Sequence, residues 1–493
     1  MISELYSLPA FTTVPTVSAT QRSRNRWSRR VIGDLLALAD LGALAITALA
    51  TAIWQGSPRG PLAHTGMADV AFCLVVMAAS HVALSEAGAY RHLPLMDLRF
   101  NPLWLVATVC AAFAGVGLSV EGLSGPATIS LGWLTVWLAN SVLGLALVRL
   151  AAGGVLARAG RLGLLKSHVA VYGTGRIADL VAAQALSDSS GTHLVGVFDD
   201  RKDQRNGSQG WMSASGTLEA LIAAGRDDKI DEIIVALPNA ADGRIAEIVH
   251  RLEHLPVKIS ICTHISSEYL GLSHRAQSAR QLGPVGLMDV KPKPLNDWAP
   301  FLKRIEDVTI SGVALIALAP LFLVIACAIK MDSPGPVLFR QRRHGFNHRV
   351  FHVLKFRSMR VMEDGAKVEQ AQRGDPRVTR VGRLLRRTSL DELPQLINIF
   401  LGDMSLVGPR PHAIAHNEQY ETIVARYASR NQVKPGLTGW AQVNGFRGET
   451  NTVEAMRKRV EHDLEYIENW SLWLDIWVLI RTLRCGFVHR NAF

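Results

Sequence analysis

Two adjacent carboxylates set among arginines are the first feature of this sequence that could do chemistry. Asp391 and Glu392 stand in the run Thr388-Ser-Leu-Asp391-Glu392-Leu-Pro-Gln395-Leu-Ile-Asn398. Residues 331–390 hold 14 Lys/Arg against 5 Asp/Glu, most of the net charge of +11 that the whole chain carries. A basic face of this kind either lies on anionic lipid or lines a pyrophosphate pocket, and a reaction at the headgroup plane needs both. Adjacent carboxylates amid guanidinium groups suit Mg2+-assisted phosphoryl transfer. One attacks phosphorus, the other holds the metal, and arginines offset the charge of the incoming pyrophosphate. Ser389-x-x-Glu392 has capping-box spacing, which predicts a helix starting at Ser389 with Asp391 in its dipole-stabilised first turn. The plainer alternative is that Glu392 only caps. Two loops follow: Gly402–Pro411 is a rigid turn presenting Arg410, and Pro435–Gly445 brings the amides Gln442 and Asn444, suited to a base or a sugar.

A second candidate site precedes these. The β-rich run from His168 to Tyr172 leads into Gly173-Thr-Gly175-Arg-Ile-Ala178, and Asp199 lies 24 residues beyond Gly175. A GxGxxA turn aims backbone N–H groups and a helix N-terminus at a phosphate, and an acid near this distance can hold a ribose. That makes Gly173 and Gly175 candidate cofactor-binding residues. The same turn also packs a helix on a strand with no ligand, and a structural or regulatory role ranks first. A short-chain dehydrogenase would need Tyr-x-x-x-Lys, and none of the 7 tyrosines has Lys four residues on.

The elements that must position these groups begin with membrane segments. Hydrophobic residues make up 48% of the 493 residues and charged residues 19%, which argues against a disordered or wholly soluble chain. Four apolar runs, Leu41–Pro58, Val70–Ser85, Phe100–Val120 and Gly122–Val148, each come near the length of a membrane span, at the cost of Asp34, Asp40 and Glu86 near helix ends, where snorkelling is expected. Arg22, Arg24, Arg26, Arg29 and Arg30 precede the first run. Arg91 and Arg99 stand between runs two and three, and Arg149, Arg158, Arg161 and Lys166 follow run four, while the other two turns hold only Arg59. The positive-inside rule assigns both ends of this bundle, and all that follows, to the cytoplasm. A fifth run, Val308–Ile329, has basic residues on both flanks and Pro320 inside, so it is expected to enter, bend and return to the same face. Between them, alternating strands and helices predict a parallel doubly wound sheet. Residues 266–300, with Pro284, Pro292, Pro294 and Pro300, read as a linker, and Trp470, Trp473 and Trp477 are expected on one interfacial helix face. The 5 cysteines are scattered, without CxxC pairs, which fits a reducing compartment.

Lys355-Phe-Arg-Ser-Met359, Ser389-Leu-Asp-Glu-Leu-Pro-Gln395, Gly402–Pro411 and Pro435–Gly445, in this order and spacing, closely resemble the bacterial sugar transferases, the polyprenyl-phosphate hexose-1-phosphate transferases that initiate surface polysaccharides. The motifs cover about Phe301–Phe493, and the helices plus nucleotide-type fold resemble the large members of that family. The resemblance implies that Asp391 is the nucleophile attacking the β-phosphate of a UDP-sugar, releasing UMP, and that Glu392 is a Mg2+ ligand with Asp391 beside it. It implies further that Lys355, Arg386 and Arg410 hold phosphates; Arg357 and Arg387 join them as basic candidates. Undecaprenyl phosphate would then take the hexosyl phosphate. The re-entrant helix is also implied, although Ala319 stands where the family often has Ser before the bending proline.

The resulting expectation is a membrane α plus α/β protein. It comprises an N-terminal tail (1–30), a four-helix transmembrane bundle (31–150), a Rossmann-like parallel-sheet domain (166–265), a linker (266–300) and a monotopic catalytic domain (301–493) with a re-entrant membrane helix (308–329). The expected setting is the bacterial inner membrane, with both soluble domains cytoplasmic. The expected partners are a UDP-sugar, with glucose first, undecaprenyl phosphate, inner-membrane lipids and a second copy of the chain, and not nucleic acid; Mg2+ is the expected cofactor. A galactose or N-acetylhexosamine donor, an inactive assembly scaffold and, more distantly, an oxidoreductase are the alternatives.

Overall fold

The computed structural model describes residues 28–56, 58, 66–90, 102–124, 130–162, 164–187, 191–201, 214–237, 242–263, 279–282, 285–360, 375–412, 414–421, 423–424, 426–446 and 452–486. Arg22, Arg24, Arg26, Arg59, Arg91 and Arg99, on which the expected orientation leans, lie outside them, as does the whole stretch 264–278. The chain divides into two compact units, residues 24–166 and residues 167–493.

The first unit holds four helices, α1 (Arg29–Gln55), α2 (Met67–Glu86), α3 (Pro102–Ser124) and α4 (Leu131–Arg161). α1 packs along α4, and α2 along α3. Each has the length and apolar content to cross a membrane. Their burial is the reverse of that in a water-soluble bundle. Ile46, Leu49, Ile53, Leu118 and Leu147 face outward, while Asp40, Thr51, Ser80, Ser141 and Arg149 are buried. In lipid, outward apolar side chains cost nothing and polar groups must find partners inside. Thr47 meets Ser141 at 3.1 Å, and Asn140 donates to Thr51 at 3.2 Å. Asp40, expected to snorkel, is only 1% exposed. It accepts from Arg149 Nη2 at 2.6 Å and from the Tyr90 hydroxyl at 3.0 Å. Arg149 therefore belongs inside α4 rather than after it. A buried charge persists where its partner is buried with it, and that partner lies 109 residues away.

The second unit opens with a six-stranded sheet in the order β2-β1-β3-β4-β6-β5. Its strands are β1 (Ser167–Tyr172), β2 (Thr192–Phe198), β3 (Glu232–Val235), β4 (Lys258–Thr263), β5 (Ala279–Leu282) and β6 (Val285–Lys291). The first four pair in parallel, joined by α5 (Arg176–Leu186), α6 (Leu218–Arg226) and α7 (Asp242–Leu252). Leu221, Ile233 and Ile259 pack one face, and Val171, Val181 and Ile234 the other. The expected linker 266–300 is corrected here. β5 and β6 lie within it and extend the sheet in antiparallel fashion, β6 against β4 and β5 at the edge. Pro292 follows the last residue of β6, where a missing N–H costs no ladder bond, and Pro300 stands in the first turn of the next helix.

α8 (Ala299–Asp332) follows as one helix of 34 residues with Pro320 inside. At 1.5 Å per residue it runs about 51 Å, and it too is long and apolar enough to cross a membrane. An antiparallel hairpin, β7 (Leu338–His344) and β8 (Val350–Phe356), leads to α9 (Arg380–Arg387) and α10 (Gln395–Leu401). Strand β9 (Ser405–Val407), helix α11 (Ile414–Glu421), strand β10 (Gly436–Thr438) and helices α12 (Trp440–Val443), α13 (Val453–Glu468) and α14 (Leu472–Gly486) complete the chain. Trp470 departs from the expected face. It precedes α14 and donates its indole N–H to Asp475 at 2.9 Å, whereas Trp473, Trp477, Ile480 and Leu483 are exposed.

Candidate active site

Lys355 stands near the end of β8, opposite Phe339 of β7. Asn398 of α10 fixes what faces it: its Oδ1 accepts from the Leu354 N–H at 2.9 Å and its Nδ2 donates to the His352 carbonyl at 2.8 Å. α10 is thereby pinned along β8, and the turn before it is brought to Lys355. The helix expected to begin at Ser389 does not form. Ser389 sits in the left-handed region at φ +57 with no capping bond from its side chain, Leu390–Glu392 make one 3-10 turn, and α10 begins only at Gln395, after Pro394. Proline fits the entry of a helix and not its interior.

Freed from capping, Glu392 turns to the cations. Lys355 Nζ donates to its Oε1 at 3.1 Å, and both terminal nitrogens of Arg410 donate to its two carboxylate oxygens. Arg410 reaches Glu392 because two loops close on each other. β9 and β10 pair in parallel, the Gly408 N–H donates to the Thr438 carbonyl at 2.9 Å, and the Gly436 N–H to the Pro409 carbonyl at 2.9 Å. A Cβ at Gly436 would meet the Gly408 nitrogen at 2.1 Å, so glycine is the side chain that this crossing admits. Behind Arg410, the buried Arg430 donates to its carbonyl at 2.9 Å and pairs with the buried Asp463 at 2.7 Å. His412 lies in the same pocket, 2.7 Å from the Tyr427 hydroxyl, and burial beside Arg430 and Arg459 keeps its ring far below its usual protonation range.

Asp391 is the group left over. It makes no hydrogen bond or ion pair with any described residue, and its half-buried carboxyl is pushed up to about 6 by burial and by Glu392, against the pull of Lys355, Arg386 and Arg410. Burial also works against the charge on Glu392, yet Arg410 and Lys355 hold its carboxyl well below the usual range. The pair thus holds one ionised, cation-bound carboxylate and one uncommitted, more basic carboxyl.

The other candidates divide. Arg386 contributes charge toward Asp391 and bonds the Met359 sulfur at 3.6 Å, while Arg387 next to it is exposed. Arg357 does not join the carboxylates. It is buried and donates to the carbonyls of Ser333 and Pro334 at the end of α8. Asn444 donates to the Trp440 carbonyl at 3.0 Å and accepts from Arg481 of α14 at 3.2 Å. Gln442 is buried, and its Oε1 finds no partner among the described residues. Neither amide bonds Asp391 or Glu392. In the sheet segment, Gly173 lies so close to β3 that a Cβ would meet the Ala236 carbonyl oxygen at 2.7 Å, whereas the space beside Gly175 is open. Sequence spacing overlooked Arg430 and Asp463, which lie 33 residues apart; each stands among other polar and charged residues, so no local pattern marked them.

The foot of α8 is bonded into this assembly. Arg304 donates to the carbonyls of Ile399 (2.9 Å) and Phe400 (2.8 Å) at the end of α10. Asp307 Oδ1 accepts from Ser405 Oγ at 2.9 Å and from the Leu406 N–H at 2.8 Å, and Lys303 meets Asp475 of α14 at 2.6 Å.

The family model described as bacterial sugar transferase matches residues 298–489, from the start of α8 through α14. The UDP-glucose:undecaprenyl-phosphate glucose-1-phosphate transferase of Escherichia coli (strain K12) is 42% identical over 371 residues, 73% of this chain and 76% of that protein. The chain belongs to the bacterial sugar transferase family. The protein of the same name from Xanthomonas campestris pv. campestris is 39% identical over 364 residues, 72% of this chain and 73% of that protein. One from Caulobacter vibrioides is 54% identical over 191 residues, 39% of this chain and 72% of that protein. A second family model, described as CoA-binding domain, matches residues 86–263, which take in α3, α4 and the sheet through β4. Both carboxylates and their cations fall within the sugar transferase match.

Proposed function

We propose that this chain transfers glucose 1-phosphate from UDP-glucose to undecaprenyl phosphate through an aspartyl phosphosugar, initiating an exopolysaccharide. The donor and acceptor follow the names of the relatives above. The observation that carries the mechanism is the division of labour in the carboxylate pair: Glu392 is held by Lys355 and Arg410 while Asp391 stays uncommitted. The Asp391 carboxylate attacks the β-phosphorus of the donor, a new P–O bond forms, and the bond to the UMP oxygen breaks. Lys355, Arg386 and Arg410 neutralise charge on the phosphate oxygens, a role that a water-poor pocket makes strong. The lipid phosphate oxygen then attacks the same phosphorus and releases Asp391.

Among the described residues no three His, Cys, Asp or Glu side chains gather as a metal cage. The pair Asp391 and Glu392 instead fits Mg2+, which takes one or two carboxylates and completes its shell with water and substrate phosphates. Bound there, Mg2+ would offset the charge of the diphosphate.

The four N-terminal helices are read as a transmembrane bundle. α8 is read as a re-entrant helix that bends at Pro320, leaving the sheet and the transferase segment on the cytoplasmic face of the inner membrane. The basic residues on both flanks of α8 and the exposed Trp473 and Trp477 on α14 favour that placement. The decisive test is a rapid quench with UDP-glucose and Mg2+ in the absence of lipid. One UMP per chain is expected in a burst; UMP that appears only after undecaprenyl phosphate is added would mean direct attack by the lipid. A panel of UDP-sugars with mass analysis of the lipid product decides the hexose.

A further inference from the structure

Two amide side chains of the transferase segment grip the helices of the sheet segment at their C-terminal ends. Asn347, at the tip of the β7–β8 hairpin, is buried and donates through Nδ2 to the carbonyls of Gly225 (3.1 Å) and Arg226 (2.7 Å) in the last turn of α6. Gln432, the last residue of the 3-10 segment Tyr427–Gln432, is buried and donates through Nε2 to the Glu253 carbonyl (2.6 Å) just beyond α7. The last carbonyls of a helix lack intrahelical donors, so each amide caps a helix that belongs to the other segment. The hairpin tip is also held in an uncommon backbone shape, with Asn347 and His348 consecutive at φ +53 and +59. Residues other than glycine keep that shape where their surroundings hold it.

Apolar packing does not seal this seam. A cavity of about 590 Å³ opens there, with Arg226, His254, Arg426, Tyr427 and Ser429 in its walls. The ion pairs across it, Arg426 to Glu253 (3.1 Å) and Arg349 to Asp228 (3.8 Å), are partly exposed and weak. The buried hydrogen bonds of the dock come from the two amides, beside an edge-to-face contact of His254 with His348 whose ring centroids lie 6.4 Å apart. Each amide lies one element away from Glu392. β8 runs from the hairpin tip to Lys355, which donates to Glu392. The segment ending at Gln432 carries Arg430, which holds the carbonyl of Arg410, the second cation on Glu392.

We propose that Asn347 and Gln432 are positioning residues of the transferase: by docking the sheet segment they hold Lys355 and Arg410 in place around Glu392. This gives the sheet segment a part in the reaction without a ligand of its own.

The test uses the full-length protein in lipid nanodiscs. Asn347→Gly keeps the left-handed backbone accessible and removes only the amide, while Gln432→Met keeps the side-chain length and removes the donor. In the double variant, hydrogen exchange in residues 350–356 and 405–411 should quicken about tenfold, while residues 167–172 and 232–235 keep wild-type protection. Turnover should fall about tenfold with the donor KM within about twofold, the signature of misplaced rather than missing contacts. Arg457→Ala, which breaks an exposed pair with Glu454 away from the seam cavity, should leave both readouts at wild-type values. Unchanged exchange in 350–356 and 405–411 overturns the proposal, as does unchanged turnover in the double variant. The exchange measurement needs no turnover, so it stands even if the reaction proposed above proves wrong.

Discussion

In the sheet segment, Asp199 follows a strand near a glycine turn and has an arginine two residues on. It accepts from Thr174 Oγ1 at 2.7 Å and from the backbone, Nε and Nη2 of Arg201 at 3.0 to 3.2 Å. Against the cost of burial, Arg201 and Thr174 hold its carboxyl below the ordinary range. In the transferase segment, Asp391 also has arginines nearby, yet none of them bonds it, and Glu392 takes the cations instead. Both acids were legible as site candidates from composition alone. What separates them is whether the chain itself uses up their lone pairs. An acid saturated by its own chain braces a turn, while an acid left open beside a saturated one can form a bond.

The sharpest way to break this contrast is Asp391→Asn. Turnover should fall by about a thousandfold or more, with melting temperature and circular dichroism unchanged; substantial residual turnover would deny Asp391 the nucleophile's part. Arg410→Lys comes next. It keeps the charge but loses the two-pronged grip on Glu392, and kcat should drop about 10- to 100-fold in steady-state assays. A pH profile is third. On the proposed mechanism only deprotonated Asp391 attacks, and its carboxyl is pushed up to about 6, so kcat/KM should decline below that pH, about tenfold per unit. Raising Mg2+ should shift this limb to lower pH if the carboxylate is a ligand, and an immobile limb would remove Asp391 from the metal's shell. Asp199→Asn should have the smallest effect: about 1–3 kcal/mol of stability lost in the sheet segment by denaturant titration, with turnover within about twofold.

Local patterns foretold much of this fold, because apolar runs, strand–turn–helix alternation and paired carboxylates all lie within a few tens of residues. Helix α10 and the turn before it show where such reading stops. The capping-box spacing at Ser389 was real, but Pro394 and the pull of Lys355 and Arg410 on Glu392 outweighed it. Arg357 looked like its neighbours in a basic run; only the fold turns it onto the end of α8. Asp40 and Arg149, and Arg430 and Asp463, are partners 109 and 33 residues apart, separations that no periodicity records. β5 has only 4 residues, and β6 is bordered by Pro284 and Pro292, so neither stood out from a proline-rich stretch.

The hydrogen bonds that Arg304 and Lys303 donate and Asp307 accepts tie α8 to α10, α14 and β9, the elements that carry and flank the candidate site. With α8 seated in a bilayer as proposed, Asp391 must share whatever depth the bilayer imposes on that helix. On that placement, altitude relative to the lipid surface is a mechanical constant of this molecule, and a change in bilayer thickness would reach the proposed reaction as a displacement of the whole catalytic floor.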